Sequence, residues 1–234
     1  IVFGDWSQTC ALPISQSGRA LPYADYLANL VLFLPTTAAD LADVAAAEFG
    51  RVIRPCGGVG LIACPEALHP AVQSWLTAAG LAELCTRTPA GFRLQRGPLP
   101  GAGEWTHQYA DPGRSGASQD RHVRLPLKVL GFGGAGPADA VSRHYRGPAP
   151  LAVNGRVFVP GNTLLQAIDA YNGRLLWQAE LPGIGRWPMP YRAGSLAADG
   201  HFLYAIQGTE CLRLDMVTGR TVGNTNRRQA GRRI

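Results

Sequence analysis

Lysine is nearly absent: Lys128 is the single lysine among 22 basic residues, and the rest are arginine. Four arginines, Arg227, Arg228, Arg232 and Arg233, crowd the last fourteen residues, which hold no acid, so the formal net charge of +6 falls to +2 over residues 1–220. A nucleic-acid footprint needs a basic face with base-stacking or groove-reading groups. The body of the chain has none, and nucleic acid is not an expected partner. Cys10, Cys56, Cys64, Cys85 and Cys211 form no Cys-x-x-Cys pair and no Cys/His cluster at metal-ligand spacing, so no metal site is named and free, partly buried thiols are expected. No apolar run reaches the ~18 residues needed to cross a bilayer. No Ser/His/Asp set, paired carboxylates or phosphate loop stands out, and no catalytic residue is assigned. An initiator methionine and a signal-type leader are also missing, which gives the expectation of a chain that starts inside a longer protein and leaves its compartment unknown.

What is present begins with an odd leader. Gly4 to Ile14, "GDWSQTCALPI", resembles the translation of a common short-read library adapter with one base missing, and residues 1–20 are read as a non-native leader. From Leu21 the chain becomes coherent. The apolar run Leu27 to Leu34 reads as a buried strand of a parallel sheet. Asp40 to Phe49, "DLADVAAAEF", reads as a helix with Asp40 as its N-cap, stopped near Pro55 and Gly57-Gly58. "VGLIAC" reads as a second strand, "PEALHPAVQSWLTAAG" as a helix stopped by Gly80, and "GFRLQRG" as a last strand. That β, α, β, α, β order predicts an α/β sheet over residues 21–96.

Gly97 to Gly103, "GPLPGAG", reads as a linker. Beyond it the same pattern occurs twice between Leu151 and Arg220. Asn154-Gly155 recurs as Asp199-Gly200, 45 residues on, while Asp169 and Gly173 recur as Asp215 and Gly219, 46 residues on. Asn-Gly and Asp-Gly both suit type I′ turns, whose central residues need positive φ. Val157-Phe158-Val159 and Phe202-Leu203-Tyr204 follow as short strands. A period of ~40 to 50 residues with several short strands per unit is the signature of a propeller blade. Trp177 closes the first unit as a ring able to fill the wedge between blades. Asp169, Gly173, Trp177, Asp215 and Gly219 are the repeat residues, expected to shape turns and pack blades. The tail, residues 221–234, lacks the apolar alternation of a strand and reads as an irregular basic segment, either a polar terminus or a slipped frame.

On these residues two resemblances rest. "AIDAYNGRLLW" resembles the Ala-x-Asp-x-x-x-Gly-x-x-x-Trp signature of the pyrroloquinoline-quinone (PQQ) type propeller repeat, and "RLDMVTGR" resembles a second instance without its Trp. "EWTHQYADPGRSGASQD" is similar to the opening segment of such propellers. "LPYAD" followed by strand, helix and "RVIRPCGGVGLI" resembles the back half of a class I S-adenosylmethionine (SAM) dependent methyltransferase, with Cys56 inserted between Pro55 and Gly57. The joint order resembles planctomycete-type bacterial proteins that place a methyltransferase-like domain before a quinoprotein-like propeller.

The resemblance implies a Rossmann-like partial sheet followed by about two blades over residues 104–220. It implies SAM or PQQ as cofactor of the parent protein, but neither in this segment: the Gly-rich turn and the acidic residue that hold SAM belong to a front half not present here. Gly57-Gly58 is expected to make a turn instead. A methyltransferase-like protein with a propeller as binding or scaffold module leads. A PQQ-dependent oxidoreductase and a non-enzymatic interaction protein stay open beside it, as do an exported and a cytoplasmic location. The partners implied are the rest of the same propeller and a small molecule or protein of unknown kind. Arg143, His144 and His107 are the ligand candidates, because Arg offers a planar fork of donors and His titrates near neutral pH.

Overall fold

Among the described residues strands dominate, and the longest helix has ten residues. The computed structural model describes residues 2–5, 8–13, 20–127, 149–161, 163–182, 184 and 196–226, and it divides into two units, Ile1–Leu99 and Pro100–Ile234. Among the described residues no helix is long and apolar enough to cross a membrane.

In the first unit β1 (Val2–Asp5) and β2 (Gln8–Pro13) form a hairpin along one side of β3 (Leu30–Phe33). The other side of β3 pairs in parallel with β4 (Val59–Ala63). The short helices α1 (Asp40–Asp43) and α2 (Ala46–Val52) make the crossover between them. A ten-residue helix, α3 (His69–Ala78), leads to β5 (Cys85–Thr88) and β6 (Gly91–Gln95). β6 inserts between β4 and β5, antiparallel to both, giving the order β2-β1-β3-β4-β6-β5. The sheet is therefore mixed, where a parallel one was expected.

Packing explains the departures. The expected helix over Asp40 to Phe49 is broken, because Val44 is extended (φ −128°, ψ 122°) and buries its side chain in the core. Its carbonyl accepts the Trp75 indole N–H at 3.0 Å, not a helical N–H. Asp40 is not the N-cap. Its carboxylate turns back to accept the N–H groups of Thr36 and Thr37 at 2.7 and 2.8 Å, which holds it below the usual carboxylate range. The apolar run at Leu27 yields only four strand residues, with Leu34 exposed. β5 was not foreseen, since "CTRT" alternates nothing apolar. By contrast α3 ends as expected at Gly80 (φ +68°). There the N–H of Gly80 donates to Thr77 O and that of Leu81 to Leu76 O, the paired closure that a left-handed glycine permits.

Phe33, Phe49 and Trp75 form the aromatic centre of this core, with ring centroids 5.5 to 6.2 Å apart. Phe49 lies directly on β4, where a Cβ at Gly60 would come within 2.6 Å of its ring. A strand glycine is thus needed for close approach. Arg51 holds the leading segment, donating to the Leu21 and Tyr23 carbonyls and pairing with Glu48 and Asp25.

The second unit contains two four-stranded antiparallel sheets of propeller-blade form. The first runs β7 (Leu151–Val153), β8 (Arg156–Pro160), β9 (Leu164–Asp169) and β10 (Leu175–Glu180). The second runs β11 (Leu196–Ala198), β12 (Phe202–Gln207), β13 (Glu210–Asp215) and β14 (Thr221–Asn226). Each is a simple meander, and both contribute to one core of Leu151, Val153, Phe158, Leu165, Ala167, Leu196, Ala198, Leu203, Ala205, Leu212 and Leu214.

Two expectations are corrected here. The start of the supposed tail is β14, paired along its length with β13; an edge strand exposed to water is held by main-chain bonds and needs no apolar side chains. The second hairpin is also shifted by one residue. Asn154 and Gly155 both have positive φ, as a type I′ turn requires, but in the second blade Asp199 pairs with Phe202 and only Gly200 (φ +91°) is left-handed. Gly200 then stands first in the turn, the II′ arrangement. The pairing equivalence between blades is therefore 46 residues throughout, for instance Phe158↔Ala167 and Tyr204↔Arg213.

Candidate functional site

Both blades bend between their last two strands around an aspartate. In the first, the Asp169 N–H donates to Arg174 O at 2.8 Å, the Gly173 N–H returns to Asp169 O at 2.9 Å, and Asp169 Oδ1 accepts the Tyr171 N–H. In the second, Asp215 N–H donates to Arg220 O and Gly219 N–H to Asp215 O, both at 2.9 Å. Asp215 Oδ1 accepts the Thr218 hydroxyl and the N–H groups of Val217 and Thr218. These bonds hold the Asp215 carboxyl below its ordinary range, the Thr218 hydroxyl contributing most. Gly173 and Gly219 close the turns at φ +75° and +71°.

Trp177, on β10, crosses from the first blade to the second. Its indole N–H donates to Met216 O at 3.0 Å, and its ring lies so close to Gly219 that a Cβ there would stand 2.5 Å from it. Phe158 backs the ring at 5.9 Å. Beside it, at the same end of the sheets, the Asn154 side-chain amide donates to Gly200 O at 2.6 Å. Indole, glycine and amide thus fasten the two equivalent sheets. What this junction does chemically is recognise a blade.

Of the three ligand candidates, His107 falls among the described residues. Arg143 and His144 lie outside the described residues. His107 is half-buried in a small loop, its Nδ1 2.9 Å from the Thr106 hydroxyl and its N–H bonded to Ala110 O.

Gly57-Gly58 forms a turn tied by main-chain bonds to the residues just after β6. The N–H of Cys56 donates to Gly97 O and that of Gly57 to Arg96 O, each at 2.8 Å. A Cβ at Gly58 would fall 2.3 Å from Arg54 O.

One grouping went unseen in the sequence. A cavity of about 590 Å³ between α3 and the β5–β6 hairpin is lined by His69, Cys85, Arg87 and Phe92, with Glu66 at its side. The Arg87 guanidinium, which can only donate, lies 2.6 Å from His69 Nδ1, and His69 Nε2 is buried with no partner among the described residues. Nothing in "CTRT" signals this, because β5 itself was unread. Burial pushes the Cys85 thiol up to about 11, so it stays protonated at neutral pH and is a poor nucleophile. The folded chain keeps this proton over a range in which the unfolded chain releases it. The stability it contributes is therefore complete below pH 9 and is lost as pH rises toward 11. Urea midpoints measured from pH 8 to 11 should fall more steeply for the natural chain than for Cys85→Ala.

No family model matches the chain, and no curated protein matches it. Among solved structures it is similar to BamB from Moraxella catarrhalis, at 22% identity and a TM-score of 0.25, over 31% of this chain and 21% of that one. It is similar to the quinohemoprotein alcohol dehydrogenase of Comamonas testosteroni at 19% identity and a TM-score of 0.30, over 38% of this chain and 14% of that one. The quinohemoprotein alcohol dehydrogenase ADHIIG of Pseudomonas putida HK5 matches at 18% identity and a TM-score of 0.29, over 38% and 13%. The matched part spans about a fifth or less of each of these proteins.

Proposed function

We propose that this chain belongs to a longer bacterial protein in which a PQQ-like propeller serves as a binding or scaffold module. Along the chain the propeller follows the C-terminal half of a class I methyltransferase-like unit, and residues 1–234 alone transfer no methyl group. The observation that carries the propeller reading is the fastening of two equivalent meanders through Trp177, Met216 and Gly219. Sheets so joined stack face to face, the arrangement of a propeller arc. The parallel β3–β4 crossover through α1 and α2 supports a Rossmann-like half for the first unit. The planctomycete-type arrangement rests on the order of the two units and on the motifs quoted above.

A non-enzymatic interaction protein is the second reading, and the main-chain bonds that tie the Gly57-Gly58 turn to Arg96 and Gly97 favour it. Calorimetric titration with SAM separates the cases. The 234-residue chain is expected to give no saturable heat, and micromolar binding would overturn the proposal. In the protein expressed at full length from its gene, SAM binding would make methyl transfer the activity to assay. Its failure there would leave the propeller as the functional part.

A further inference from the structure

The 46-residue equivalence relates the blades face by face. Toward the second blade the first turns Val153, Phe158, Leu165, Ala167 and Trp177, all packed in or against the shared core. By register their counterparts, on the outward face of the second blade, are Asp199, Tyr204, Cys211, Arg213 and Gly223. Trp177 opposite Ala167 thus becomes Gly223 opposite Arg213, and each pair sits beside the same one-residue break in register. A Cβ on Gly223 would meet the Arg213 guanidinium at 3.4 to 3.7 Å, so that group lies over Gly223 where the indole lies in the first blade. It also stands 4.8 Å from the centre of the Phe202 ring, a cation–π contact that fixes its direction.

We infer that the outward face of the second blade docks a following blade of the same protein, and that Arg213 replaces Trp177 as the donor across that junction. The inference rests on the propeller reading proposed above. Continuity with the existing interface names the occupant: the equivalent face of the first blade is covered by a blade, and its donor reaches a main-chain carbonyl just after that blade's aspartate. A guanidinium carries five N–H groups on a flexible stem and can serve the same carbonyl. Cys211 and Phe202 are half-covered and Ile206 is 39% exposed. This apolar surface gains by being covered, and the residues around it are polar, so the junction is wetter than the first.

Cys211 reports on the face directly, since its counterpart Leu165 is fully buried. Its rate of alkylation by iodoacetamide, read by peptide mass mapping, should be about tenfold lower in the full-length protein than in the 234-residue chain. Arg213→Ala should abolish the difference. Adding Gly223→Trp to that variant should restore it, because the pair then repeats Ala167 and Trp177. Slowing that survives Arg213→Ala unchanged would sink the role of Arg213 and leave the propeller reading standing. Equal rates in the two natural proteins would sink docking and the propeller reading together. If Arg213→Ala loosens the whole unit, seen as faster alkylation in the shorter chain as well, the double variant decides: recovered protection supports the inference and its absence overturns it.

Discussion

Trp177→Ala is expected to destabilise the second unit by about 3 kcal/mol, toward the lower end of losses for a large aromatic because the ring is only partly buried. Three contacts go at once: the packing on Phe158, the stacking on Gly219, and the indole bond to Met216 O. The last loss leaves a carbonyl at the junction without its donor, and an unpaired buried acceptor costs about 1 to 3 kcal/mol. Trp177→Phe should recover most of the packing and none of the hydrogen bond. Urea unfolding followed by circular dichroism would show the second unit melting early, with the first unit's transition unmoved. A shift of both transitions together, or of neither, would count against the junction as drawn.

The second large effect belongs to Gly219→Ala. At φ +71° an alanine pays about 1 to 2 kcal/mol for left-handed backbone. Its Cβ would in addition stand 2.5 Å from the Trp177 ring, which cannot withdraw without breaking its bond to Met216 O. Overpacking of that kind costs about 1 to 3 kcal/mol, for a total of about 3. Gly173 is the internal control. It has nearly the same φ but nothing within 4 Å of its Cβ position, so Gly173→Ala should cost only the backbone part. In a Trp177→Ala background the Gly219 penalty should shrink to that same level, a coupling of about 2 kcal/mol between residues in contact. Additive losses in that double-mutant cycle would mean the ring and the glycine do not touch.

These expectations concern residues already prominent in the sequence, because a repeat compares a chain with itself. Asp169, Gly173, Asp215 and Gly219 announced their turns through spacing alone, and φ near +70° at both glycines is the physical content of that spacing. The same comparison misled at the hairpins. Asn154-Gly155 and Asp199-Gly200 look alike, yet the Asp199 carboxylate accepts the N–H groups of His201 and Phe202 and the hydroxyl of Tyr204. Those bonds draw the turn one residue onward and pull the Asp199 carboxyl down to about 2, the Phe202 N–H contributing most.

In the first unit, element types with strong local signals, such as α3 and its Gly80 stop, were readable. What escaped was decided at a distance. The break at Val44 depends on Trp75, 31 residues away, and β5 exists because β6 offers it a partner. The His69, Cys85 and Arg87 cavity shared that fate, since it needs β5 in place before its side chains meet. Arg213 was invisible for another reason: its meaning appears only once pairing shows that it stands where the first blade has Ala167, beneath the missing indole.

The inserted position of β6 has a bearing on how the chain is made. Cys85–Thr88 leaves the ribosome before Gly91–Gln95, yet it pairs with that later segment and with no other described strand. During synthesis the free side of β4 must wait for a hairpin that closes on itself and then docks through its second arm. A pause in translation just after Thr88 would therefore present nascent β4 with an open flank, at the moment when a chaperone or a neighbouring chain could claim it.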